Sequence, residues 1–419
     1  MSIRLAIHGG KPTVVYNGPH LIWPEITPKL EQAVIGQLHK AISIYDRSGI
    51  YEEFEEKFSH YHHVRYALGT SSGTAALYSI FVGAGLKEGD EIICPSYTFF
   101  ATISPIFFTG AVPVLCEVQE DGNIDPNSIE KLLTPKTKAI IVTHMWGIPC
   151  EMDRITKIAK KHHLFLFEDC SHAHGATYKG KLVGTFGDAA AWSLQGQKNV
   201  TAGEGGIMLT RNKDIYYRAM LLGHFNKRCM KEINKNNKLY KFAVTGMGLK
   251  LRMHPLGAAI ANEQFDYLDE WLKTKRKIAQ RFDKAFSTMP GVRPAIKPAK
   301  SNPAWYAYVL RYIPEELGGL SIEGFFSALQ VEGCIMLDRP NSTCPLNHHY
   351  LFKCPEKLFP SYKGKIKYKV GDFPVAEKFH KHSLKLPVWH DERYTELAEQ
   401  YIEAFRKVTS YYVSTSKRL

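Results

Sequence analysis

Three short motifs place reactive or anion-binding side chains where the backbone would present them. The first is Gly69-Thr70-Ser71-Ser72-Gly73-Thr74-Ala75-Ala76-Leu77, which follows an apolar run and opens a helical pattern. Small residues let backbone N–H groups approach an anion, and a helix N-terminus favours negative charge there. The segment reads as a phosphate cup or as an ordinary helix cap. The second, Phe165-Leu166-Phe167-Glu168-Asp169-Cys170-Ser171-His172, is an apolar strand ending in two carboxylates. At the carboxyl end of a parallel strand such a group can hold a heterocyclic N–H as a cation, or it can be a capping or salt-bridged residue. The third, Ser193-Leu194-Gln195-Gly196-Gln197-Lys198-Asn199-Val200-Thr201-Ala202-Gly203-Glu204-Gly205-Gly206, sets a lysine in a turn rich in glycine and amides between two apolar strands. Desolvation and nearby cations lower a lysine's pKa and free its amine for a Schiff base, whereas a solvated loop lysine stays charged. Each motif alone has an ordinary structural explanation. Together, an anion cup, a carboxylate for a pyridinium and an amine nucleophile are what pyridoxal phosphate requires.

Such motifs need a scaffold that gathers strand ends. Apolar runs at 66–70, 91–95, 112–118, 139–145, 164–169, 189–194 and 205–210 read as strands, and several are separated by helix-length segments. This alternation predicts an α/β fold with a mostly parallel central sheet and helices on both faces. Residues 255–289 read as one long helix or two abutting ones, with Pro255 suited to a first helical turn. After Pro290, a strand-like run at 305–312 and helices at 322–331 and 391–408 suggest a smaller C-terminal α+β domain. The expected organisation is an N-terminal segment, 1–65, with helices around 28–42 and 51–62, packing on the core and lining the substrate pocket. A large cofactor-binding domain follows at 66–262, then a linking helix at 263–289 and the small domain at 290–419.

The 419 residues are 44% hydrophobic and 23% charged, which excludes wholesale disorder, collagen and coiled coil. No apolar run reaches the roughly 18 residues of a spanning helix, and the N-terminus lacks a signal-peptide core, so the expectation is a cytoplasmic protein without a membrane partner. The net charge of +13 suggests anionic ligands. The densest basic stretches, 227–241 and 363–369, read as loops, and no nucleic-acid-binding motif accompanies them. The eight cysteines are dispersed without a C-x-x-C pair, as suits a reducing compartment, and no metal site is expected.

With these residues in view, the chain resembles the DegT/StrS-type sugar aminotransferases of the aspartate-aminotransferase fold, fold type I. The resemblance runs over nearly the whole chain. It is carried by TSSGTAAL (70–77), GDEIICPSYTFFAT (89–102), GAVPVLCEV (110–118), THMWG (143–147), FEDCSHAHG (167–175), WSLQGQKNVTAGEGG (192–206), LRMHPLGAAIA (251–261) and FPVAE (373–377). It implies pyridoxal 5'-phosphate as cofactor, Lys198 as the covalent anchor and proton shuttle, and Asp169 as partner of the pyridine nitrogen. It implies an aromatic ring, Phe99, stacked on the cofactor, and Ser72, Gly73, Thr74 and Ser193 as phosphate ligands. His172 would lie near the ring oxygen, and Gln195 would orient the cofactor or the amino donor. Where the family often has Asn, reaching the partner subunit's cofactor phosphate, this chain has Lys250, which can still meet phosphate as a point charge. A homodimer with shared active sites is implied.

The resemblance further implies transfer of an amino group from glutamate or glutamine to a keto-sugar or related polyhydroxylated cyclic ketone. Gln195-Gly196-Gln197-Lys198 is similar to relatives acting on cyclitol ketones or aminohydroxybenzoate precursors, whereas the positive charge favours a diphosphate-linked sugar. Trp23, Tyr45, Arg47, His348 and His349 are expected near the substrate. The rival readings are another pyridoxal phosphate reaction, such as dehydration or decarboxylation, and a non-catalytic regulatory or binding protein on the same fold.

Overall fold

The structure is a computed structural model that describes residues 4–416. Its centre is a seven-stranded sheet built from β1 (Tyr66–Thr70), β2 (Glu91–Pro95), β3 (Val112–Cys116), β4 (Thr137–Thr143), β5 (Phe165–Asp169), β8 (Ala189–Ser193) and β9 (Gly206–Thr210), in the order β1-β9-β8-β5-β4-β2-β3. A short hairpin, β6 (Thr177–Tyr178) and β7 (Lys181–Leu182), lies between β5 and β8 in the chain. Neighbours from β3 to β8 pair parallel, and only β9 runs against the others, pairing antiparallel with both β8 and β1. The strands are near-continuous apolar runs because helices cover both faces. Ile140, Ile141 and Val142 of β4 are all fully buried although alternate residues face opposite sides.

The consequence for function is directional. The carboxyl ends of the six co-directional strands, among them Thr70, Pro95, Thr143, Asp169 and Ser193, lie along one edge of the sheet. In open α/β sheets that edge is where ligands bind.

The helices differ in the burial of their faces. Helix α1 (Pro28–Lys40) buries only Leu30 and Gln37. Helix α2 (Ile50–His62) buries Ile50, Phe54 and Phe58 in a cluster with Trp192 and Phe265. Helix α3 (Gly73–Gly83) is capped by Ser72, whose hydroxyl accepts from the Ala75 amide at 3.0 Å, and it is buried along most of its length. Residues 255–289 form two abutting helices, Pro255–Phe265 and Leu268–Phe286. The second packs on a three-stranded antiparallel sheet made of β10 (Val292–Arg293), β12 (Tyr308–Tyr312) and β13 (Ser383–Leu386), together with helices Ile322–Val331 and Thr395–Ser416. A short strand β11 (Ser301–Asn302) instead pairs with β6.

Of the segment expected as the small domain, the described residues 290–416 contribute to two cores. Tyr308, Leu310, Phe325 and Phe405 belong to the C-terminal body, whereas Leu346, Phe352, Tyr362 and Phe379 pack into the core of the large sheet. The N-terminal segment is divided as well. Leu5 and Val14 sit in the C-terminal core. The amides of Ala6 and Thr13 bond the buried carboxylate of Glu332 at 2.8 and 3.0 Å.

The basic stretch 227–241, expected as a loop, holds a helix, Lys227–Glu232, and the start of a 3-10 turn, Lys238–Phe242. The reason is Arg228. Its guanidinium is buried and bonds both carboxylate oxygens of Glu55 on α2 at 3.0 and 2.8 Å, and Glu232 one turn on at 2.8 Å. Glu55 also receives the amide of Gly69 at 2.8 Å, so α2, β1 and the basic helix meet at one carboxylate. Removing one partner of such a pair leaves an uncompensated buried charge. Glu55→Ala should cost about 3–5 kcal/mol in urea unfolding, and the double variant Glu55→Leu/Arg228→Met clearly less.

Candidate active site

At the carboxyl edge of the sheet, next to the C-terminal body, lies a cavity of about 510 Å³. The three sequence motifs converge on it. Ser72, Gly73 and Thr74 stand at the N-terminus of α3, Asp169 at the end of β5, and Ser193 at the end of β8 with Lys198 in the loop that follows. Phe99, His172 and Gln195 line the same cavity.

The phosphate-cup and helix-cap readings of Ser72 are compatible. Its oxygen accepts from the Ala75 amide, which leaves the hydroxyl proton free to donate elsewhere. Gly73 is required by proximity, since a Cβ there would stand 2.7 Å from the Cβ of Ser193. Gly206, opposite Ser193 in the β8–β9 pairing, is equally constrained, with a Cβ falling 2.3 Å from the Ser72 carbonyl carbon. These contacts press the start of α3 against the end of β8, so the hydroxyls of Ser72 and Ser193 belong to one cup.

The two carboxylates ending β5 separate because consecutive strand residues face opposite sides of a sheet. Glu168 is fully buried and satisfied by the amides of Gly184, Phe186 and Gly187 at 2.7, 2.8 and 2.8 Å, and by His144 at 3.2 Å. Cys170 lies with them, but the other imidazole nitrogen of His144 accepts from the Cys150 amide at 3.0 Å. The nitrogen facing Glu168 therefore carries the proton and has no lone pair for a metal. Asp169 faces the cavity. It accepts from the Thr102 hydroxyl at 2.7 Å and the Ser171 amide at 3.0 Å. Thr98 joins Thr102 and Thr143 in a hydroxyl chain at 2.9 and 3.1 Å, which fixes the donor to Asp169.

Lys198 is largely withdrawn from water, and its ammonium lies 4.7 Å from the centroid of the Tyr306 ring. Desolvation lowers its pKa to about 8, against the opposing pull of Asp169. Its loop is anchored on both sides. The Lys198 amide bonds the Gln195 carbonyl at 2.8 Å, Asn199 Nδ2 donates to the Ala304 carbonyl at 3.1 Å, and the Thr201 amide donates to Gln264 Oε1 at 3.0 Å. Behind the lysine, His172 stacks on Tyr306 with centroids 4.1 Å apart and planes 2° from parallel, and Trp146 continues the stack. Burial and the charge of Lys198 hold His172 neutral, well below its usual pKa. Its Nδ1 is buried with no partner among the described residues. An orphaned buried nitrogen beside a hydroxyl cup, a carboxylate and an amine is a donor set that fits a polar aromatic ligand bearing a phosphate.

Six expected residues lie elsewhere. Arg47 is held by Glu55, Glu56 and Glu52 at 3.1, 3.4 and 3.8 Å, so it serves the buried ion network. Tyr45 is exposed and packs under Arg252. His348 pairs with Glu377 at 3.6 Å, and His349 lies 3.1 Å from the Cys344 sulfur. Lys250 is exposed, with φ +53°, and does not line the cavity of its own chain. Trp23 lines a second, adjoining cavity.

Thr102, Thr143, Trp146, Tyr306, Arg339 and Lys385 also line the cavity, beyond the residues expected from the sequence. Thr102, Thr143 and Trp146 stand inside segments that carried the resemblance. Tyr306, Arg339 and Lys385 come from the C-terminal body, and nothing in their local sequence marks them.

A GDP-perosamine synthase of Escherichia coli O157:H7 is 34% identical over 294 residues, covering 70% of this chain and 78% of its own length. An L-glutamine:2-deoxy-scyllo-inosose aminotransferase of Streptomyces fradiae is 32% identical over 384 residues, 89% of this chain and 90% of its own. An aminotransferase of Psychrobacter cryohalolentis solved by X-ray superimposes with a TM-score of 0.81 at 27% identity, covering 94% of this chain and 99% of that one. The model of the DegT/DnrJ/EryC1/StrS aminotransferase family matches residues 31–405, and the chain belongs to that family.

Proposed function

We propose that this chain is a pyridoxal phosphate-dependent aminotransferase that moves an amino group from glutamate or glutamine to a nucleotide-linked keto-sugar or a related polyhydroxylated cyclic ketone. The observation that carries the proposal is the shared cavity in which Lys198, with its pKa lowered to about 8, meets Asp169 and the Ser72–Ser193 cup. When bound, the cofactor supplies an aldehyde that takes up the amino group and a ring that accepts the electron pair.

The chain's own groups do the rest. The hydroxyls of Ser72, Thr74 and Ser193 and the N-terminus of α3 hold the phosphate. Asp169, oriented by Thr102, holds the proton on the ring nitrogen. His172 offers its unpartnered Nδ1 to the ring oxygen, and Phe99 lies on the cavity wall for stacking. Lys198 Nζ takes the α-proton of the amino donor and returns a proton in the second half-reaction. Tyr306 and Trp146 exclude water behind the lysine. The loop 338–343, bearing Arg339, closes the side toward the C-terminal body.

The relatives named for GDP-perosamine and for 2-deoxy-scyllo-inosose support a ketone on a polyhydroxylated ring, and the second supports glutamine as donor. Gln195-Gly196-Gln197-Lys198 favours the cyclitol alternative. The basic stretch 227–241 gives little support for a diphosphate in this chain's own cavity, since Arg228 is consumed by Glu55 and Glu232.

A homodimer with shared active sites is part of the proposal. Phe242, Val244, Met247 and Leu249 expose 47–71% of their surface immediately before Lys250, which is more apolar exposure than a solvated loop needs. All eight cysteines are free and six are buried, which supports a reducing, cytoplasmic setting. Among the described residues no helix is long and apolar enough to cross a membrane.

An absorption spectrum of the cofactor-loaded protein is expected to show a visible-edge band that glutamine or glutamate shifts to shorter wavelength. Lys198→Ala should abolish that band and lower turnover by about 10⁴-fold or more; a variant that keeps both overturns the proposal. The pH dependence has a definite sign. The Lys198 amine is nucleophilic only when neutral, so the rate of cofactor capture by the stripped protein should rise with pH through about 8 and then level off. Asp169→Asn removes the charge that raises this pKa and should move the midpoint down. Lys250→Ala should weaken cofactor retention about tenfold, and activity should return when Lys250→Ala and Lys198→Ala protomers are mixed, because only a shared site allows complementation.

A further inference from the structure

Beside the reaction cavity lies a second one of about 500 Å³, separated from it by Gln197, Tyr306, Asp338 and Lys385, which line both. Its floor is Gly196, Gln197 and Asn199, the residues flanking Lys198. Its walls are apolar on one side, with Leu21, Ile335, Met336, Leu386 and Val388, and polar on the other, with Asp338, Lys385 and His390.

Set into this space is an amine without a counterion, its pKa lowered to about 7 by burial. Lys275, on the helix Leu268–Phe286, is more than nine-tenths buried. Its ammonium donates to one acceptor, the Trp305 carbonyl at 3.1 Å, and has no carboxylate partner among the described residues. Its other N–H donors are left without a protein acceptor. The neighbouring charges are already matched. Lys385 is paired with Asp338 at 2.6 Å, and His390 bonds Glu25 at 3.1 Å and is held neutral by burial. A second donor faces the same problem. Trp23, wedged between Trp271 and His390 with centroids 5.0 and 4.9 Å away, has a buried indole N–H with no partner among the described residues.

A buried amine and a buried N–H donor, both short of acceptors at the wall of one cavity, define a ligand by what they lack. We infer that this cavity binds an organic carboxylate with a short apolar body, its carboxylate between Lys275 Nζ and Trp23 Nε1 and its hydrocarbon against Leu21, Ile335 and Val388. Inorganic phosphate fits it less well, because Lys385 and His390 are already paired with Asp338 and Glu25 and the apolar side from Leu21 to Val388 cannot solvate the remaining oxygens. The backbone on either side of Lys198 forms the floor, so an occupant rests against the loop that presents the reactive amine. The inference is independent of which ketone is aminated.

Valerate, with inorganic phosphate as the comparison anion, is titrated by calorimetry into the protein saturated with pyridoxal phosphate and into the protein without it. Failure of the cofactor proposal thus leaves the readout intact. Valerate is expected to bind with one site per chain in both. Lys275→Met should weaken it about tenfold or more, and Trp23→Phe, which keeps the ring between its neighbours, by several-fold. Arg339→Gln, in the reaction cavity, should leave it unchanged. Absence of valerate binding, equal affinity in Lys275→Met, loss in Arg339→Gln with retention in Lys275→Met, or phosphate binding as tight as valerate each overturns the inference. Should Lys275→Met fail to fold by near-ultraviolet circular dichroism, Trp23→Phe decides, and unchanged affinity there overturns it.

Discussion

Withdrawing the amine of Lys198 from water costs free energy, and the surroundings are arranged so that only part of that cost is returned. Asp169 lies in the same cavity and its field favours the charged form, yet desolvation prevails and the pKa settles near 8. A direct ion pair would have kept the amine permanently charged and useless as a nucleophile. Asp169 is instead engaged by Thr102 and the Ser171 amide, and the aromatic ring of Tyr306 lies within reach of the ammonium. Desolvation against the field of Asp169 leaves the amine between charged and neutral near physiological pH, the state that the proposed roles of nucleophile and proton carrier require.

This balance depends on a loop that cannot relax. The segment from Leu194 to Gly205 closes on itself, with the Leu194 amide bonding the Gly205 carbonyl at 2.8 Å and the Ala202 amide bonding the Leu194 carbonyl at 2.7 Å. Asn199 and Thr201 tie it to the 304 region and to the helix Pro255–Phe265. The glycines at 73 and 206 let the first turn of α3, the end of β8 and the start of β9 approach within van der Waals contact. Function therefore rests on close backbone approach at one point of the sheet edge. That is how motifs at 69–77, 165–172 and 193–206 come to line one cavity.

The C-terminal body has two parts in this arrangement. It supplies Tyr306, Arg339 and Lys385 to the reaction cavity, and with Trp23 and Lys275 it encloses the adjoining one. The buried ion network around Glu55 lies away from both. There Arg47 and Arg228 share a carboxylate that also anchors Gly69 at the start of the cup-bearing turn. Charges that looked like ligand-binding groups are thus spent on holding α2, β1 and the basic helix together.

The sequence by itself determined the parts whose signals are local. Strands β1, β2, β5, β8 and β9 fell within a residue of their apolar runs, because strands buried on both faces need uninterrupted hydrophobicity. The helix 322–331 and the two helices of 255–289 were legible from periodicity, and Ser72, Asp169 and Lys198 from their position at the ends of such runs. Only the tertiary structure showed what holds the neighbouring Glu168 on the opposite face, since its partners are the amides of the turn 184–187. It alone turned Arg47 and Arg228 inward and brought Tyr306 onto the amine of Lys198. The physical reason is range. Periodicity and capping are properties of a few neighbouring residues, whereas the pairing of a buried charge or the wall of a cavity is set by packing between segments far apart in the chain, where no local pattern records the partner.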